Sequence, residues 1–159
     1  MKTRLITIIL SATALITSIQ NGLAQTDDKV AIKAVIERET QSWIKRDAKA
    51  MADCWADVPE AGHLYSVPDG KGTVVYSPDI EKAITTLAAG QQPSSDTFQN
   101  TDYQIRINGN GAFTQFDQAY SSADGTKNYS HQVRYLEKVS GTWKIVNVVS
   151  VYYIPTNEK

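Results

Sequence analysis

The chain has 159 residues and a formal net charge of −1, from 16 Lys and Arg against 17 Asp and Glu. With no basic excess, stripe or tail, nucleic acid is not an expected partner. Cys54 is the only cysteine, which excludes an internal disulfide. Its place in a helical pattern between Asp53 and Trp55 reads as a buried, inert thiol.

The chain begins with the basic residues Lys2 and Arg4, the apolar run LITIILSATALI and small residues at Gly22–Ala24. That order and length predict a secretory signal over 1–24, with no stop-transfer pattern behind it. The remaining 25–159, about 135 residues, have the size of a single domain with one core. The expected location is periplasmic or secreted, with no membrane association after cleavage.

Val30, Ala31, Ala34, Val35, Trp43 and Ile44 recur at helical spacing behind Thr26, Asp27 and Asp28, which suit a helix start. After a break near Asp47, a possible N-cap, RDAKAMADCWADV predicts a second short helix ended by Pro59 and Gly62. Two short strands, 63–67 and 73–76, flank the turn Pro68-Asp69-Gly70. A third helix opens with Ser77, Pro78, Asp79 and Glu81 and closes at Gly90. Strands are then expected over 98–108, 112–122, 127–139 and 142–154, separated by Gly109-Asn110, Asp124-Gly125 and Ser140-Gly141. The sum is an α+β domain with three helices on one face of a curved antiparallel sheet.

Counting back from Ser140-Gly141 as a two-residue turn pairs Leu136 with Ile145, Arg134 with Asn147 and Gln132 with Val149. Treating Asp124-Gly125 likewise sets Gln115 opposite Arg134 and Asp117 opposite Gln132. Gln115, Asp117, Gln132, Arg134 and Asn147 then share a face with Trp143, Leu136, Ile145, Phe113 and Val149. Polar groups set in an apolar wall need partners, which points to a hollow beneath the helices. The opposite face carries Tyr129, Val133, Tyr135, Val146, Val148, Tyr152 and Phe116. Three helices are too few to cover it as well, so a homodimer through this outer face is expected.

Arg134 is the main candidate, as a fixed cation for a carboxylate or other anion, or as a structural partner of Asp117. Gln115, Gln132 and Asn147 are candidate ligand-orienting amides. Trp43 and Trp143 are candidates for an aromatic wall of the same hollow or for core packing, and Tyr65 and His63, on the first short strand, are candidates for its mouth. His63 and Asp117 are the candidate acid–base groups. Neither histidine has a carboxylate at ligand spacing, and no phosphate loop or nucleophile elbow is present, so no metal or cofactor is expected.

Three stretches together resemble the nuclear transport factor 2-like superfamily, in its SnoaL-like and ketosteroid-isomerase-like branch. They are WIKRDAKAMADCWADV, SVPDGKGTVVYSPDIEKAI and VRYLEKVSGTWKIVNVVSVY. The resemblance implies a cone-shaped sheet wrapped on a long N-terminal helix, a pocket at the open end and dimers through the outer sheet face. In relatives, an arginine matching Arg134 can line the pocket and hold anions. The isomerase branch's acid and tyrosine do not map residue by residue onto this chain. The dehydratase branch's His–Asp pair would nominate His63 and Asp117. Three functions follow as expectations: an exported binder of a small anionic or polar-headed molecule, an isomerase or dehydratase working by proton transfer, or a dimerisation module.

Overall fold

The computed structural model describes residues 26–66, 74–75, 85–86 and 92–155. Helix α1 occupies 26–45 and α2 Ala48–Ala52. The strands are β1 (Gly62–Ser66), β2 (Val74–Val75), β3 (Thr97–Asn108), β4 (Gly111–Ser121), β5 (Lys127–Val139) and β6 (Thr142–Tyr153). The expected signal over 1–24 and the turn at Pro68-Asp69-Gly70 lie outside the described residues. So does the expected helix over 77–90, except that 85–86 are helical. Among the described residues no helix is long and apolar enough to cross a membrane.

Asp47 separates the two helices as expected, its Oδ1 accepting a hydrogen bond from the Ala50 N–H at 2.9 Å. This cap satisfies one of the donors a helix start leaves without a partner. The strands make one six-stranded sheet in the order β2-β1-β6-β5-β4-β3. The sheet is mixed, not antiparallel throughout. β1 runs parallel to β6, from Gly62 beside Asn147 to Ser66 beside Val151. Hairpin signals describe sequence neighbours only. β1 pairs with a strand that the whole meander separates from it.

The core lies between α1 and one sheet face. Ile32 and Ile36 pack with Phe116, Leu136, Ile145 and Val148, and Met51, Cys54 and Trp55 close the end. Each large side chain removed from water contributes about 1.5–3 kcal/mol. The buried stripe of α1 is Ile32, Ile36, Thr40 and Ile44, at i+4 steps. The expected stripe is displaced: Val30 is 64% exposed, Ala31 and Ala34 are exposed and Val35 is half-buried. Small apolar residues surround this helix, and the bulky isoleucines decide which side faces the sheet. The Trp143 indole donates to Asp28 Oδ1 at 2.9 Å, and Lys138 pairs with the same oxygen. Bonds from Lys138 and then Trp143 hold the Asp28 carboxyl below its usual range, fastening α1 to the β5–β6 hairpin.

Near its tip the β5–β6 hairpin has the expected register, Val139 beside Thr142 and Leu136 beside Ile145. Ser140 (φ 49°) and Gly141 (φ 81°) both have positive φ, as a tight turn with the strands' twist requires. A register shift then sets Tyr135 beside Asn147, Arg134 beside Val148 and Gln132 beside Ser150. The extra residue, Val146, sits where β6 changes its other neighbour. Ile145 bonds to Cys54 and Ala56, whereas Asn147 onward pairs with β1. Between β4 and β5 the turn spans 122–126 instead of Asp124-Gly125 alone, closing with Ser121 beside Lys127. Every β4 pairing consequently moves by one: Thr114 faces Arg134, Phe116 faces Gln132 and Asp117 faces His131.

Candidate functional site

These two one-residue shifts decide which side chains meet. Side chains alternate along a strand, and directly paired residues share a face. The face toward α1 therefore carries Thr114, Phe116, Gln118 and Tyr120 from β4 and Ser130, Gln132, Arg134 and Leu136 from β5. β6 adds Val148, Ser150 and Tyr152. Gln132 and Arg134 stand where the sequence places them, buried at 3% and 4% exposure. Gln115, Asp117 and Asn147 do not. All three lie on the opposite face, because the longer turn moves the first two and the bulge moves the third. There Gln115 donates to Gln104 at 2.9 Å, and Asp117 meets His131 at 2.9 Å. Asp117 is therefore a partner of neither Arg134 nor His63 in this site.

Arg134 pairs instead with Glu39 of α1, Nη1 to Oε2 at 2.9 Å, both side chains largely buried. Its guanidinium also lies 5.5 Å from the Phe116 ring centroid, over a ring stacked on Tyr103. Arg134 Nε and the hydroxyl of its cross-strand neighbour Thr114 are buried without a hydrogen-bond partner among the described residues. Buried polar groups of this kind are uncommon.

Around this pair runs a chain of hydrogen bonds. His63 Nε2 meets Ser150 Oγ at 2.9 Å, the Ser150 hydroxyl donates to Gln132 Oε1 at 2.9 Å, and Gln132 Nε2 donates to Ser130 Oγ at 2.8 Å. With the Ser150 proton directed to Gln132, His63 Nε2 carries the hydrogen that it shares with Ser150. In that arrangement Ser150 has no base and is not an activated nucleophile. Burial lowers the His63 pKa to about 4, with Glu39 opposing the shift and Arg134 adding to it.

Glu39, Gln118, Gln132, Arg134 and Ser150 border a cavity of about 240 Å³, together with Thr40, Trp43, Tyr120, Asn128 and Tyr152. The first five are its buried floor, Glu39 being the most accessible of them, while Trp43, Tyr120 and Tyr152 are half-buried and Asn128 is exposed. Tyr120 is tethered by its hydroxyl, which donates to Asp96 at 2.6 Å. Trp43 borders the cavity and carries Arg46 over its ring at 4.5 Å. Of Tyr65 the described part is the backbone, in β1 beside Ser150. His63 is not among the described residues that border the cavity. Cys54 is fully buried and its thiol is pushed up to about 11, chiefly by desolvation.

Glu39, Gln118, Ser130 and Ser150 escape the sequence reading. Glu39 had a signal: it stands seven residues after Ile32 and three after Ile36, on the buried side of α1. Gln118 follows Ala112, Thr114 and Phe116 at two-residue steps, a pattern readable once the parity of β4 is known. The serines carry no distinguishing signal.

The outer face has a different composition from the expected one. Tyr129, Val133 and Tyr135 are on it, but Val148 and Tyr152 face α1, as Phe116 does, and Val146 is the buried bulge residue. In their place stand Phe113 (48% exposed), Val151 (47%) and Tyr153 (40%).

No protein-family model matches the chain, and no curated protein matches it. Solved structures do. An NTF2-like protein with a cystatin-like fold from Novosphingobium aromaticivorans superposes with a TM-score of 0.69 at 15% identity, over 89% of this chain and 92% of that one. A protein of unknown function from Mycobacterium tuberculosis gives 0.67 at 15% identity, over 85% and 77%. The association domain of C. elegans CaMKII gives 0.63 at 14% identity, over 80% and 97%. With its mixed sheet, the chain has the NTF2-like, cystatin-like fold that the resemblance to the nuclear transport factor 2-like superfamily implies.

Proposed function

We propose that this is an exported small-molecule-binding domain whose ligand seats a polar head in the cavity between α1 and the sheet. The observation that carries the reading is the Arg134–Glu39 pair. A buried ion pair costs more in desolvation than a packed apolar contact of the same volume. Here it borders a cavity together with Gln118, Gln132 and Ser150. A domain that needed only a stable core would do better with aliphatic residues at these positions. The sheet wrapping as a cone on a long first helix, closed by a third helix, belongs to the same proposal.

A ligand-observed NMR screen against a fragment library tests it. Asn128 borders the cavity and is exposed, so Asn128→Trp obstructs the site without disturbing the core. Fragments that bind the wild type and are lost in Asn128→Trp support the reading; hits that bind both proteins alike remove it.

Proton-transfer catalysis is the second reading, and the His63–Ser150–Gln132–Ser130 chain is what favours it. In its other tautomer, with Nε2 unprotonated, neutral His63 would take a proton from a ligand in the cavity through Ser150, which borders it. Turnover lost in Ser150→Ala with fragment binding retained distinguishes this from binding alone.

The outer face is proposed to pair two copies. Its exposed Phe113, Tyr135, Val151 and Tyr153 support this, as does the likeness to an association domain. Tyr135→Glu is expected to convert a sedimenting dimer to a monomer.

A further inference from the structure

Resting on the binding reading above, we infer that the ligand's head is a neutral group with a carbonyl and an N–H on one edge, a carboxamide or lactam, and not a carboxylate. The charge of Arg134 is already answered by Glu39 at 2.9 Å. The other buried groups on the cavity floor, Gln118, Gln132 and Ser150, are neutral. The described part of the site therefore has one cation, one anion and no charge left over.

A carboxylate beside Arg134 would lie next to the Glu39 carboxylate and give up its own hydration. Displacing Glu39 to make room would leave that carboxylate buried without its cation. A carboxamide avoids both. Its carbonyl accepts from the Arg134 guanidinium, which borders the cavity and has more N–H donors than the one given to Glu39, and its N–H donates to Glu39. The ion pair persists and each of its members gains a neutral partner.

The rest of the cavity suits a ring. Trp43 and Tyr152 flank the floor with half-buried aromatic surface. A cavity of about 150 Å³ accommodates benzene, so 240 Å³ holds one ring with its head group.

Benzamide and benzoate, equal in shape and different in charge, are the probes. Binding is read by NMR shifts of the Trp43 indole and the Gln132 side-chain amide at neutral pH. The wild type is expected to bind benzamide at least about tenfold more tightly than benzoate, since placing like charges side by side costs several kcal/mol. Glu39→Gln, which removes the anion and retains an acceptor for Arg134, is expected to reverse that order. Benzoate binding the wild type as tightly as benzamide, at the same resonances, overturns the neutral-head inference and leaves the pocket standing. An unchanged order in Glu39→Gln overturns it too. Shifts with neither probe in either protein overturn the pocket itself. If Glu39→Gln fails to melt cooperatively, the wild-type comparison alone decides.

Discussion

Each face of the β4–β5–β6 sheet carries a carboxylate paired with a basic side chain at the same distance. Toward α1, Arg134 meets Glu39 at 2.9 Å with side chains 5% and 14% exposed. On the other face, His131 meets Asp117 at 2.9 Å with side chains 45% and 41% exposed. The separation is equal and the consequences differ. A buried charge that loses its partner has no water to turn to, whereas an exposed one does. Contact distance therefore says little about which pair the fold depends on, and burial says most of it.

Arg134→Ala gives the sharpest test of that contrast. It leaves the Glu39 carboxylate without its cation and is expected to lower unfolding stability by about 3–5 kcal/mol, read from urea denaturation. A loss below about 1 kcal/mol would equate the two faces and break the comparison.

His63, on the inner side, extends it to pH. Its pKa falls from 6.5 to about 4 on folding, so between those values the unfolded chain binds the proton more readily. Stability contributed by neutral His63 is fully present above about pH 6.5 and is lost as pH falls toward 4, by roughly 3 kcal/mol in all. Urea midpoints measured across that range should show this slope in the wild type and a flatter one in His63→Gln. Equal slopes in the two proteins would remove His63 as its source.

Ser150→Ala breaks the chain between His63 and Gln132 and leaves Gln132 Oε1 without its donor. The expected cost is about 1–3 kcal/mol, the penalty for a stranded buried polar group. A neutral substitution would show that the chain is dispensable to the inner face. On the outer face, Asp117→Asn and His131→Ala are each expected to change stability by less than about 1 kcal/mol. A larger effect measured on the monomer would mean that this exposed pair matters as the buried one does.

Which residues stand on which face was only partly legible, and the failures have a common cause. Gln132 and Arg134 were placed correctly because the extra residue lies in β6, so side chains alternate along β5 without a break from Leu136, whose pairing follows from the Ser140-Gly141 turn. Asn147 lies past the bulge at Val146, and Gln115 and Asp117 lie across the longer turn at 122–126. With a side-chain period of two, a single extra residue moves everything beyond it to the other face. Glu39 was within reach, since it follows Ile32 and Ile36 at helical steps. Without knowing which side of α1 is buried, nothing in the sequence distinguishes Glu39 from the other charged residues of the helix.

Local chemistry alone specified much of this protein: the Asp47 cap, the Ser140-Gly141 turn, the strand lengths and the burial of Leu136, Ile145 and Trp143. These depend on a few neighbouring residues and on short-range sterics. Packing decided the rest: the parallel union of β1 with β6, the bulge at Val146, the choice of the isoleucine stripe on α1 and the meeting of Glu39 with Arg134. Each of these joins residues far apart in the chain, and no local preference distinguishes the partner that was taken from those that were not.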